Sequence, residues 1–280
     1  MTIIPALTLA DDTMQPERVG NHATPSTARN PAPVTPTIRS QTNLVLVPVS
    51  VRDASGKPVA DLQINDFVVT EEGEAIRLDY LGQPELTRLE IVLVFDLTSS
   101  VWYYFDLVKE AASGFVRSLY RPGDAVSVVG ISSEPLVLLK RTESLPAVLE
   151  GLNGIRRSGA ATAFYDTVAA AARLFPQKAD PETRRVLVVL SDGEDNFSRM
   201  NLEKTLQLMH EADCLFYSIN PGATERRLNI VSRRGQQQME TLAEHTGGRA
   251  FLVEGYQNLN SVYSRIAEEL QVQYLLGYNS

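Results

Sequence analysis

The chain has 280 residues, of which 44% are hydrophobic and 21% charged, an ordinary balance for a globular protein of one large domain or two smaller ones. Its net charge of −8 argues against a partner held by phosphate neutralisation, so no nucleic-acid target is expected. The single cysteine, Cys214, excludes an intrachain disulfide, and the scattered His22, His210 and His245 give a nitrogen-based zinc site little to build on. No run of 18 apolar residues is present to cross a membrane as a helix.

Residues 1–42 hold six of the fifteen prolines and no aromatic side chain, a composition that cannot offset the entropy of ordering; a flexible tail is expected. Thr2 to Ala10 carries the apolar stretch and small-residue end of a secretory signal, without its basic start. A polar tail and a signal peptide shortened at its start both stay open.

Residues 43–86 read as a small antiparallel β module, too small to stand alone and docked on the larger C-terminal part of the chain. Val47, Val49 and Val51 alternate with other residues, 53–57 supply turn chemistry, and strands are expected at 67–70 and 76–81.

From residue 88 to 280 strands alternate with helices. Ile91 to Phe95 is an unbroken apolar run, as in a strand covered on both faces, and a helix is expected next, over about 103–119. Further strands are expected at 125–131, 135–140 (antiparallel, at an edge), 185–190, 214–219, 250–253 and 273–277. The remaining helices fall at 145–152, 164–174, 201–211, 238–246 and 259–269. This alternation predicts an α/β fold: a doubly wound, mostly parallel sheet with helices on both faces. Arg233 and Arg234 read as a solvated loop, Cys214 as a small buried hydrophobe, and His210 and His245 as helix-end residues.

The chemistry sits where the strands end. Asp96-Leu97-Thr98-Ser99-Ser100 closes one apolar strand, Ser191-Asp192-Gly193 another, and Thr162 lies in a small-residue loop before a helix. Asp96, Thr98, Ser100, Thr162 and Asp192 together offer two carboxylates and three hydroxyls, hard oxygen donors suited to Mg²⁺ or Mn²⁺. Glu194 and Asp195 read as solvated loop charges. Trp102, Tyr103 and Tyr104 come directly after the first motif and are candidate partner-contacting aromatics.

Asp96-x-Thr98-x-Ser100, Thr162 before Ala163-Phe164-Tyr165-Asp166, and Ser191-Asp192-Gly193, in that order, resemble the von Willebrand factor type A domain and its metal-ion-dependent adhesion site over about 90–280. The preceding Asp53-x-x-Gly56-Lys57-Pro58-Val59 and Asp66-Phe67-Val68-Val69 resemble the opening of bacterial VWFA-related proteins. Thr98 stands where the family usually has serine, and Ser99 where a glycine often precedes the last serine. Related chains continue past the 273–278 strand, so a closing strand is expected to be missing. The resemblance implies a secreted or periplasmic binding module without catalytic residues, capturing an exposed Asp or Glu of a protein partner through the metal. The alternative is a haloacid-dehalogenase-like phosphohydrolase, because Phe95-Asp96-x-Thr98 also matches the nucleophile strand of those enzymes; there, Thr98 would replace the second acid.

Overall fold

The computed structural model describes residues 44–54, 57–82, 87–98, 105–159, 161–177, 183–221, 230–253 and 258–279. The expected flexible tail, and the signal-like run within it, therefore lie outside the described residues.

A six-stranded sheet forms the centre. It comprises β5 (Arg88–Asp96), β6 (Ala125–Ile131), β7 (Leu136–Thr142), β8 (Thr183–Leu190), β9 (Cys214–Asn220) and β10 (Arg249–Leu252), in the spatial order β10-β9-β8-β5-β6-β7. Every pairing is parallel except β6 with β7, which is antiparallel and puts β7 at the edge, as its sequence implied. Successive residues of β5 point to opposite faces, so its apolar run serves two cores at once. Leu89, Ile91, Leu93 and Phe95 pack under α1 (Phe105–Leu119) and α6 (Leu259–Gln271). Val92 and Val94 pack under α3 (Phe164–Ala172), α4 (Leu202–Glu211) and α5 (Ile230–Thr246), where Met209 and Met239 are buried. Each such side chain, fully buried, contributes roughly 1.5–3 kcal/mol. Helix α2 (Leu145–Gly154), capped by Ser144, covers the β7 end of the first face. Cys214 is buried at the start of β9, and burial pushes its thiol up to about 12. His210 lies in the last turn of α4, where its Nε2 meets the carbonyl of His245 at the end of α5.

The N-terminal strands do not form their sheet alone. β1 (Leu44–Val49) and β4 (Tyr80–Gly82) flank the last strand, β11 (Tyr274–Asn279), in an antiparallel three-stranded sheet. The strand expected at 273–277 exists, but it joins this second sheet and not the parallel one. The single strand expected over 76–81 is two: β3 (Glu74–Ile76), paired with β2 (Val69–Glu71), and then β4. Phe67, Val69, Tyr274, Leu276 and Tyr278 form the core beneath them. The Tyr274 hydroxyl donates to the Val59 carbonyl and accepts from the Leu62 amide, tying the long connection between β1 and β2 to the chain's last strand. Arg52 reaches Glu269 of α6 at 2.5 Å.

Helix α5 begins at residue 230 and not at 238, so Arg233 and Arg234 are helical and the loop reading of them is corrected. The glutamines and Gly235 hid its first turns. That glycine is there for contact: a Cβ on it would lie 2.5 Å from the Asp192 carbonyl oxygen.

Candidate metal centre

The chain enters β5 from one side of the molecule, lays β6 and β7 to one flank and then crosses to lay β8 to the other. The strand order thus reverses about β5, which puts the carboxyl ends of β5 and β8 at the switch point, where open parallel sheets generally bind ligands. Asp96 is the last residue of β5, directly beside the end of β8.

Asp96 is 2% exposed. Its Oδ1 accepts from the Thr98 amide at 2.9 Å and the Thr98 hydroxyl at 2.6 Å, and its Oδ2 accepts from the Ser191 hydroxyl at 2.8 Å. Burial holds its carboxyl above the usual carboxylate range; the bonds from Thr98 and Ser191 pull the other way, and the charge of Glu194 adds to the rise. No cationic side chain among the described residues pairs with it.

The loop after β8 is built around Ser191. Its hydroxyl also accepts from the Gly193 amide at 3.0 Å, while Asp192 accepts from the Glu194 amide at 3.1 Å. Gly193 sits at φ +74°, and a Cβ there would lie 2.5 Å from the Gly235 carbonyl oxygen. The pair of glycines lets the start of α5 press against this loop. Thr162 is brought to the same loop through its backbone: its amide donates to Asn196 Oδ1, and its carbonyl accepts from the amides of Asn196 and Phe197. The preceding loop is anchored by the Ser158 amide on the Leu97 carbonyl, just past Asp96.

The structure therefore joins Asp96 directly to Thr98, links Asp192 to them through Ser191, and ties Thr162 to the Asp192 loop through Asn196. Ser100, Trp102, Tyr103 and Tyr104 lie outside the described residues. Sequence reasoning passed over three residues that hold this arrangement. Ser191 was legible only as part of its motif, and Asn196 was not singled out. Asp195 was expected to be a solvated charge, yet it accepts from the Phe164 amide at 2.8 Å and from the Ser198 hydroxyl, so it caps α3. Glu194 likewise accepts from the Ser232 hydroxyl at 2.8 Å.

Among the described residues no group of three or more His, Cys, Asp or Glu gathers that could by itself hold a metal ion. What converges is carboxylate and hydroxyl oxygen. A buried carboxylate met by two hydroxyls, with no cation beside it among the described residues, fits a hard divalent ion.

The family model of the von Willebrand factor type A domain matches residues 90–265. The chain belongs to that family.

The solved structures it is similar to agree on the VWA fold. An aerotolerance-related membrane protein from Bacteroides fragilis is 18% identical with a TM-score of 0.51, covering 65% of this chain and 98% of its own. A von Willebrand factor type A protein from Catenulispora acidiphila, also 18% identical, has a TM-score of 0.55 over 66% of this chain and 43% of its own. Proximal thread matrix protein 1 from mussel byssus, solved with zinc in its MIDAS motif, is 18% identical with a TM-score of 0.57, covering 72% of this chain and 50% of its own. No curated protein matches the chain significantly by sequence. VWA domains are a family of protein-interaction modules, often with such a metal site. No helix among the described residues is long and apolar enough to cross a membrane.

Proposed function

We propose that this VWA domain is a metal-dependent protein-binding module. Asp96, Thr98, Ser100, Thr162 and Asp192 hold Mg²⁺ or Mn²⁺ at the carboxyl ends of β5 and β8, and an Asp or Glu of a partner protein completes the coordination. The observation that carries this reading is the environment of Asp96: a buried carboxylate whose bonds come from hydroxyls and an amide, with no described cation beside it. Bound there, the ion would supply a Lewis-acidic position: two protein carboxylates balance its charge, and the five protein oxygens leave a coordination position for water or a partner's carboxylate.

The chain's own groups divide the work. Ser191 and Thr98 fix both oxygens of Asp96, so the carboxylate needs no rearrangement to meet a cation. The bonds between Thr162 and Asn196 hold the Thr162 loop in register with the Asp192 loop. Trp102, Tyr103 and Tyr104 supply contact area and dry the partner's acid. Without the ion, an incoming carboxylate would face Asp96 and Asp192, and like charges 4 Å apart repel by roughly 4 kcal/mol at an effective dielectric near 20. Phosphoryl transfer is disfavoured because Thr98 offers a hydroxyl where a second acid would be needed. Secretion or a periplasmic site is the compartment this reading favours.

The test is capture of partner proteins on the immobilised chain in Mg²⁺ and in EDTA, with Asp96→Ala and Asp192→Ala in parallel. Partners retained in Mg²⁺ and lost in EDTA and in both variants support the reading. Retention that ignores EDTA and both substitutions overturns it.

A further inference from the structure

Phe197 is 58% exposed, among the large apolar side chains most open to water in the described structure. It is not on a loose tip. Its amide and that of Asn196 both donate to the Thr162 carbonyl, and Asn196 Oδ1 receives the Thr162 amide, so the backbone carrying Phe197 is bonded to a proposed metal ligand. On the far side of Phe197, Ser198 bonds Asp195, and the amides of Arg199 and Met200 donate to the Asp166 carboxylate. An exposed aromatic side chain on a backbone fixed from both sides loses little entropy when a partner covers it.

The charges beside it are sorted. The acids of these loops are spent on the protein: Asp166 and Asp195 on backbone amides, Glu194 on Ser232. Arg157, Arg199 and Arg234 are exposed. Arg234, the fifth residue of α5, lies close enough to Tyr165 for its charge to oppose that of Asp195 on the tyrosine hydroxyl. Gly235, the next residue, is packed against Gly193. In a chain of net charge −8, these exposed arginines stand on the loops, as Arg157 and Arg199, and on α5, as Arg234.

We propose that Phe197 and Arg234 make this rim selective for a linear acidic segment of a partner protein, one whose metal-seeking Asp or Glu is flanked by an aliphatic or aromatic residue and by a further acid. The proposal rests on the metal-dependent reading above. The partner's acid meets the metal, its apolar neighbour covers Phe197, and its second acid faces Arg234.

Short synthetic peptides test it. One set carries a single Glu in a Gly/Ser background, a second adds Leu, Ile or Phe beside the Glu, and a third adds Asp. The full chain is applied to immobilised peptides in Mg²⁺ and in EDTA, and its melting temperature with and without Mg²⁺ is recorded separately. In Mg²⁺ the apolar neighbour raises retention by about tenfold, the worth of one largely buried side chain. Phe197→Ala removes that gain and keeps the single-Glu signal, while Phe197→Leu restores part of it. Arg234→Ala removes the gain from the added Asp. Both variants keep the Mg²⁺-induced rise in melting temperature. The same neighbour preference in Phe197→Ala as in the wild type overturns the proposal, as does failure to retain any peptide when Mg²⁺ still raises the melting temperature. Absence of any Mg²⁺ effect on melting points instead to failure of the metal reading beneath it, and in that case retention lost in Phe197→Ala still supports the rim and retention unchanged overturns it.

Discussion

Strand β5 buries a carboxylate near each end, and the two are treated differently. Glu90, 6% exposed at the start of the strand, is met by the Arg141 guanidinium at 2.7 Å. Asp96, 2% exposed at the other end, is met by hydroxyls and an amide. Burying a charge without a counter-charge costs several kcal/mol, so the first arrangement is complete as it stands and the second calls for a cation from outside. One strand thus displays a structural ion pair and a candidate ligand-binding end. Solvation and pairing, not residue type, separate them.

The largest expected effect is on the scaffold of the Asp96 end. Gly193→Ala places a Cβ against the Gly235 carbonyl at a positive φ, and should cost about 3 kcal/mol in chemical denaturation while abolishing any metal response. Next comes the ion itself. Mg²⁺ or Mn²⁺ at a hundred times its dissociation constant should add about 2.7 kcal/mol of stability, read as a rise in melting temperature. Asp96→Ala and Asp192→Ala should lose that rise, and a rise persisting in both would break the contrast between the two ends. At the other end, Arg141→Ala should cost about 2 kcal/mol with or without metal, moderated because the arginine side chain is 44% exposed.

The smallest effect is the most diagnostic. In EDTA at neutral pH, Asp96→Asn should be neutral or stabilising by about 1 kcal/mol, because it removes a buried charge that has no counter-ion among the described residues. The sign with pH comes from the raised carboxyl: the folded protein binds this proton more readily than the unfolded chain. Its contribution is therefore fully present below the ordinary value of 3.8 and lost as pH rises through the raised one. The stability difference between wild type and Asp96→Asn in EDTA should grow over that interval, and a difference flat with pH would show that Asp96 is already compensated.

The parallel sheet was legible in the sequence because its strands are covered on both faces and read as uninterrupted apolar runs, such as Ile91 to Phe95 and Val186 to Leu190. The candidate ligands were legible because strand ends place them. What failed was whatever depends on a distant neighbour. Gly235 reads as a helix breaker until the Asp192 carbonyl is seen against it. Asp195 reads as a surface charge until the α3 amide it caps is found 31 residues back in the chain. Residues 274–279 read as one more strand in the alternating series, since nothing local says that their partners are β1 and β4.

That last pairing sets an order of events for the growing chain. Leu44 pairs with Asn279 and Val49 with Tyr274, so the first described strand emerges from the ribosome with no edge to join until the last one has been made. Contacts so distant in sequence carry the largest loop-closure cost and form late. The two outermost described strands are thus sewn together after the parallel sheet has the means to form, and until then the alternating valines of β1 are an unpaired edge in need of protection.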